Sequence, residues 1–271
     1  MTIAIAAKAA DHSCIVTVSD RRISFDDAVP SLDSAILKDW FIGRYWGALL
    51  ATNDTSFAGP ILLKAANLLK ERGSNESVED VRAAMCDAYA HVRQEHVSRE
   101  FLSKYGITSI GQFRKEGPST LGRKLFGSLA RRIENESLAE TIFLVYGYDP
   151  NTKNTAHFFE VKNPGNAYTL DQFQYFAIGS GAAIAMASLN LKPVRHLNPA
   201  QLIYRVLEAK FSAEASSAVG RSTVVSIANR GEPSTFLSWG TIERIRKLWE
   251  NSLIMPPPSE INDLIKEVKF T

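Results

Sequence analysis

Thr2–Arg22, TIAIAAKAADHSCIVTVSDRR, is the stretch that decides the fold. Thr2 to Lys8 is a short apolar run, Ala9 to His12 supplies a turn, and Cys14 to Asp20 is a β-branched run carried by Ile15, Val16, Thr17 and Val18. Two strand-length apolar runs around a turn predict a β-hairpin. The small residue after Met1 favours removal of that methionine, which would leave Thr2 as the amino terminus. A terminal threonine carries its own nucleophile and base, because its hydroxyl attacks while its α-amine, titrating near ~7.7–8.0, takes the proton.

Working outward, Ala35 to Ile42 and Tyr45 to Thr52 predict a second hairpin, with Gly43-Arg44 as a two-residue turn in which the glycine supplies a positive φ. Phe57, Ile61, Leu62, Ala65, Ala66, Leu68 and Leu69 recur at helical spacing until Gly73 stops them. Ser77, with Asp80 three residues on, opens a second helix through Val81, Ala84, Met85, Ala88 and Tyr89. Strands follow at Thr141 to Tyr148 and Thr155 to Val161 around the turn Asp149-Pro150-Asn151, and Asn163-Pro164-Gly165 is a further turn. Phe173 to Ile178 leads into Gly179-Ser180-Gly181 and a small-residue run, then a helix over Pro199 to Glu214 and a strand over Thr223 to Ala228. Antiparallel strand pairs with helices segregated between them predict an α+β layered sandwich. The expected organisation is one domain over residues 1–271, with a helical insertion at about 101–138 and a C-terminal helical extension at about 236–271. That extension reads as an amphipathic helix on Ile242, Ile245, Leu248 and Trp249, a Pro256-Pro257-Pro258 stop and a short terminal helix. The insertion gathers Arg114, Lys115, Arg123, Lys124, Arg131 and Arg132 around a Gly117-Pro118-Ser119 break, a basic surface suited to an acidic protein partner or to solvent alone.

Composition excludes more than it assigns. The 45% apolar and 22% charged fractions are ordinary for a globular chain, and a net charge of +2 gives no push toward nucleic acid. Cys14 and Cys86 lack metal-ligand spacing and fit a reducing compartment. No apolar run approaches ~18 residues, so no membrane span is expected. The amino terminus lacks signal-peptide character, and the expected location is cytoplasmic. His12, His91, His96, His157 and His196 show no metal spacing, and Gly179-Ser180-Gly181 lacks the further glycine or lysine of a nucleotide loop, so neither metal nor cofactor is expected.

Thr2, Asp20 and Lys38 are the residue types of a nucleophile, an orienting carboxylate and a tuning cation. A lysine beside a threonine hydroxyl would favour the alkoxide and keep the terminal amine neutral, and Asp20 can hold that lysine. Asp20 as a strand-end turn former and Lys38 as a solvated edge residue are the alternatives. The order of elements and these motifs resemble the proteasome-type peptidases among the N-terminal-nucleophile hydrolases, over roughly residues 2–72 and 141–228. Asp20-Arg21-Arg22 resembles the family's Asp-x-Arg, Lys38 its lysine, Tyr146-Gly147-Tyr148-Asp149 its Gly-x-Asp, and Phe176 to Gly181 its Gly-Ser-Gly segment.

The resemblance implies a four-layer αββα sandwich and a threonine-type peptidase or amidohydrolase. Thr2, Asp20, Lys38 and Ser180 would be catalytic, with Ser180 near the terminal amine. It also implies a peptide or unfolded protein bound as an added strand. Ile23, Ser24, Leu50, Thr52 and Gly181 would line or bond that substrate, with a preference for apolar side chains. Several copies would assemble, as a ring, a spiral or a dimer. Thr52 or Asn53 stands where the family usually has a cleft glycine, although a backbone N–H would still serve there as oxyanion donor. The family's late Asp-x-x-Ser-Gly is degraded to Ser216-Ser217-Ala218-Val219-Gly220. These departures favour, as the second reading, an inactive scaffold of the same fold that recruits partners.

Overall fold

The computed structural model describes residues 2–23, 32–33, 38–73, 76–152, 155–192, 194, 196–232 and 234–253, with the backbone alone at 22–23 and 32–33. The first hairpin forms as β1 (Ala4–Lys8) and β2 (Cys14–Asp20), and every residue of both strands is buried. A strand buried on both faces has to be apolar throughout, which is why these runs do not alternate with polar residues. They sit at the middle of a five-stranded antiparallel sheet. On one side β1 pairs with β10 (Tyr175–Ile178). On the other, β2 pairs with β11 (Thr223–Asn229), which pairs with β12 (Thr235–Phe236).

A second five-stranded antiparallel sheet runs in chain order: β5 (Asp39–Phe41), β6 (Trp46–Ala51), β7 (Ile142–Asp149), β8 (Thr155–Lys162) and β9 (Asn166–Thr169). Two short strands, β3 (Arg22–Ile23) and β4 (Leu32–Asp33), pair with each other. The two large sheets meet through a common core. Ala4 and Ala6 of β1 and Ile15 of β2 face Leu49, Leu144, Tyr146, Tyr148 and Phe158. Small side chains on one sheet accept large aromatic ones from the other, which fills the layer.

By the two-residue period of a strand, the neighbours Ala48, Leu50, Phe143, Val145 and Phe159 take the opposite face. There they pack against α1 (Ala58–Arg72) and α2 (Val78–Val97) through Ile61, Leu62, Ala65, Leu69, Val81, Met85 and Tyr89. Truncating a side chain such as Phe143 in this layer would cost about 3–5 kcal/mol. The Ser77 hydroxyl accepts Asp80 N–H at 3.1 Å, which caps α2. On the first sheet, α4 (Ala182–Leu191) packs against β1 and β10 and α5 (Pro199–Ala213) against β1 and β2. Asn198 and Gln201 form a reciprocal capping box that starts α5. The molecule is thus an α+β sandwich of two antiparallel sheets flanked by helices.

Four details differ from the sequence expectation. The β5–β6 connection spans residues 42–45, and Gly43 has no positive φ. Gly43 makes room instead: a Cβ there would lie 2.7 Å from the Glu76 carboxylate, which accepts the N–H groups of Arg44 (2.8 Å) and Tyr45 (3.1 Å). The strand expected from Ala35 begins at Asp39, and residues 34–37 lie outside the described residues. The insertion's helix α3 (Ile110–Glu134) runs through Pro118 and breaks at Gly122, whose φ of 72° and ψ of 156° are not helical. Its two arms fold together, with Phe113 and Phe126 stacked at 4.7 Å over Gly117. Val97, Leu102, Ile107, Phe113, Leu129 and Ile133 give this hairpin its own apolar cluster, while the six basic residues stay exposed. Finally, β9 was not expected.

The chain divides into residues 1–237 and 238–271. In the second unit α6 (Trp239–Ser252) is capped by Ser238, whose hydroxyl accepts Thr241 N–H at 3.2 Å. The Pro256-Pro257-Pro258 stop and the terminal helix fall outside the described residues. No described helix is long and apolar enough to cross a membrane.

Candidate functional site

Three strand termini converge at one point. Thr2 lies just before β1, Asp20 ends β2, and Lys38 lies just before β5. The β1–β2 register pairs Ala4 with Ser19, which carries Asp20 back to the start of β1, and Asp20 N–H donates to Ile3 O at 3.2 Å. Lys38 is placed by its carbonyl, which accepts Leu50 N–H at 2.9 Å across the β5–β6 pair.

The result is a closed triangle of side chains, 3%, 0% and 5% exposed at Thr2, Asp20 and Lys38. Thr2 Oγ1 donates to Asp20 Oδ1 at 2.6 Å, and Lys38 Nζ donates to the same oxygen at 2.7 Å. Lys38 Nζ also donates to Thr2 Oγ1. Ile3 N–H reaches Asp20 Oδ1 at 3.2 Å and Gly220 N–H reaches Oδ2 at 2.8 Å. A hydroxyl with an ammonium on its lone pair and a carboxylate on its proton is polarised toward the alkoxide.

Gly220 comes from the loop after α5, where the sequence lacks an Asp-x-x-Ser-Gly. The loop supplies a backbone donor in place of a side chain. Its anchor is Lys210, fully buried, whose Nζ donates to Gly220 O (2.8 Å) and Arg221 O (3.0 Å) and pairs with Glu214. Ser216 turns the loop through Val219 N–H to Ser216 O at 3.0 Å, and Ser217 is exposed.

The segment 179–181 closes over Thr2. Gly179 has φ 93°, and a Cβ there would stand 2.3 Å from Thr2 O, so conformation and contact both require glycine. Thr2 O accepts Ser180 Oγ at 3.2 Å and Gly181 N–H at 3.3 Å. Ser180 therefore touches the carbonyl of Thr2. Gly181 is buried beneath the site, its Cα facing Val219 and Ile3.

Thr2 lines a cavity of about 370 Å³ with Ala51 at the end of β6, Thr52 and Asn53 beyond it, Glu140 ahead of β7, Ile142 at its start, and Gly179 and Ser180. Leu50 does not line it; it is 1% exposed and packs toward α1 and α2. Ile23 contributes its β3 backbone, paired with Leu32, and Ser24 lies outside the described residues, as does Met1.

The wall opposite Gly179 is a turn in which Leu138, Ala139 and Glu140 have φ of 49°, 54° and 55°. Left-handed backbone costs a non-glycine residue roughly 1–2 kcal/mol, so a run of three needs outside support. Thr52 and Asn53 provide it. Asn53 N–H donates to Ala139 O (3.1 Å), Asn53 Nδ2 to Glu140 Oε2 (3.1 Å), and Thr52 Oγ1 lies 2.9 Å from Thr141 Oγ1. Thr52 and Asn53, one or the other of which the resemblance sets where the family usually has a cleft glycine, both hold this turn, and the Asn53 N–H is committed to it.

Behind Lys38, Asp39 is buried between the sheets. It accepts Thr17 Oγ1 at 2.8 Å from β2 and Tyr146 OH at 2.6 Å from β7. Burial pushes its carboxyl above the usual range, opposed by these hydroxyls and by the nearby Ser226, whose Oγ makes no well-aligned bond among the described residues. Burial, and then the Asp39 charge, pushes the Tyr146 phenol well above its ordinary value.

At the other end of β1, Lys8 Nζ donates to Asp171 O (2.9 Å), and His157 Nδ1 lies 2.9 Å from Asp171 Oδ2. Burial lowers Lys8. Burial would raise Asp171, but its bonds to His157 and Phe158 N–H, with the His157 and Lys8 charges, hold it below its usual value.

Sequence reading missed Gly220, Lys210, Asp39 and Glu140. A backbone donor has no residue signature, and a turn of Leu, Ala and Glu lacks the glycine or asparagine that marks left-handed backbone. Among the described residues no group of three or more His, Cys, Asp or Glu is placed to hold a metal ion. Comparison of the chain with known protein families and with curated proteins finds no match.

Proposed function

We propose that the chain is a threonine-type N-terminal-nucleophile amidohydrolase or peptidase, with the four-layer sandwich of the proteasome-type enzymes. The observation that carries this reading is the triangle of Thr2, Asp20 and Lys38, residues 18 and 36 positions apart that meet around one hydroxyl. Once Met1 is removed, the Thr2 amine takes the hydroxyl proton, directly or through a water. Thr2 Oγ1 adds to an amide carbonyl, and Lys38 stabilises the developing charge. Asp20 holds Lys38 in place. Collapse of the tetrahedral intermediate expels the amine, which leaves with a proton from the Thr2 ammonium. Water then hydrolyses the ester and restores the hydroxyl. Ser180 and Gly181 fix the Thr2 carbonyl, so that rotation about the first residue is limited.

The peptide substrate, assembly of several copies and a protein partner at the basic hairpin belong to the same reading. A competing reading, a non-catalytic scaffold of this fold, draws on one observation: the 216–220 loop gives Asp20 a backbone donor and gives Thr2 no serine hydroxyl. Intact mass after treatment with a β-lactone that acylates N-terminal threonines separates the two. The hydrolase reading expects loss of Met1 and one adduct, absent in Thr2→Ala. Retained Met1 with no adduct would sink it in favour of the scaffold.

A further inference from the structure

Resting on that reading, we propose that Glu140 selects the substrate: the cleft takes amides whose residue before the scissile bond carries a cationic side chain, an ammonium or a guanidinium. The resemblance implied an apolar preference from Ile23 and Leu50. Leu50 is turned into the helix-facing core, and the Ile23 side chain is not among those described, so the preference loses its described support. The cavity that Thr2 lines contains instead one carboxylate, that of Glu140.

Three observations converge on it. Once Met1 is removed, the Thr2 α-amine, titrating near ~7.7–8.0, is the other ionisable group of the described lining, whose remaining residues are Ala51, Thr52, Asn53, Ile142, Gly179 and Ser180. Among the described residues no lysine or arginine lies within ion-pair distance of Glu140, and the side chain it bonds, the Asn53 amide at 3.1 Å, is neutral. Lys38 of the triangle is paired with Asp20 at 2.7 Å. Among the described residues the Glu140 carboxylate therefore has no lysine or arginine paired with it.

The carboxylate is also held there. Its backbone belongs to the left-handed run Leu138, Ala139 and Glu140, which Asn53 binds at both the Ala139 carbonyl and the Glu140 side chain. Thr141 O accepts the Tyr89 hydroxyl at 2.9 Å, and Thr141 Oγ1 donates to Leu138 O at 2.6 Å, so both ends of the turn are tied to the core. A carboxylate on a residue that lines the same cavity as the nucleophile favours, at the encounter and in the bound state, a substrate with the opposite charge. Glu140 is exposed, so relative to an uncharged isostere the gain is that of a solvated ion pair, about two- to fivefold.

The test uses the processed full-length chain and two matched fluorogenic amides, with lysine or norleucine before the scissile bond. The expected ratio of kcat/KM, lysine over norleucine, is about two to five in the wild type, falling toward about one in Glu140→Gln and with high salt. Both proteins should still form the β-lactone adduct at Thr2, which shows the nucleophile to be present. A wild-type ratio at or below one, or an unchanged ratio in Glu140→Gln with labelling intact, overturns the inference and leaves the hydrolase reading standing. No labelling in either protein removes the nucleophile, and the inference with it.

Discussion

Lys38 and Lys210 have the same side chain and nearly the same burial, 5% and 0% exposed, yet they serve two regions in opposite ways. Lys38 points at a hydroxyl and a carboxylate at the edge of a cavity. Lys210 points at two backbone carbonyls and a glutamate, and closes a loop. The difference lies in what each ammonium is bound to. A cation against side-chain oxygens that line a cleft can change a reaction, while one against main-chain oxygens fixes a path of the chain. The regions are joined, because the loop that Lys210 closes delivers Gly220 N–H to the carboxylate that holds Lys38.

The sharpest way to break this comparison is to swap each lysine for methionine, keeping volume and removing charge. Lys38→Met should lower the rate of Thr2 acylation by about 10²–10³-fold, as loss of a charge-stabilising donor does. It should also lose stability, because the buried Asp20 carboxylate loses its cation, so the acylation rate is read where circular dichroism shows the variant folded. Lys210→Met should lose about 3 kcal/mol of stability in urea denaturation, the cost of leaving buried partners unpaired. Were Lys210→Met to retain full stability, the loop would need no pin and the contrast would dissolve.

A smaller effect tests the support of the cleft wall. Thr52→Val removes the hydroxyl that bonds Asp54 O at 2.7 Å and Thr141 Oγ1 at 2.9 Å. It should cost about 1 kcal/mol and increase amide exchange at Ala139 and Glu140. Exchange unchanged from wild type would mean that Asn53 alone carries the turn.

The smallest effect concerns pH. Asp39 has its carboxyl raised in the folded state by burial, so the folded chain binds that proton more tightly than the unfolded one. Its contribution to stability is greatest below the ordinary carboxylate value and declines as pH rises toward its raised value. Asp171, held below its ordinary value, behaves oppositely, and its contribution fades as pH falls. Denaturation from about pH 3 to about pH 7 should show Asp39→Asn losing the decline on the rising side, and Asp171→Asn losing the decline on the acid side. Two variants with parallel pH curves would contradict these directions.

Much of the fold was legible. The β-branched run of β2, the helical spacing of α1 and α2, and the β7–β8 pair follow from their residues because each buries a patterned face. What was not legible lacks such a face. β9 is four residues, mostly exposed, and β12 is two exposed residues. The break in α3 was expected near Pro118 and falls at Gly122, because the ring of an exposed proline is tolerated where Gly117 lets the two arms pack, and the positive φ falls to the later glycine. At the site, Thr2, Asp20 and Lys38 could be named because their chemistry resides in side chains. Gly220 and the turn at 138–140 act through backbone geometry, which residue type does not announce.

The helical hairpin between α2 and β7 has a consequence of another kind. Its apolar cluster, from Val97 to Ile133, lies outside the core between the sheets and outside the core beneath α1 and α2. A segment with a private core opens and closes on its own cooperative schedule. Length and charge in this hairpin can therefore drift across generations without disturbing strand register, and the sheets can be selected for one task while the hairpin is selected for another.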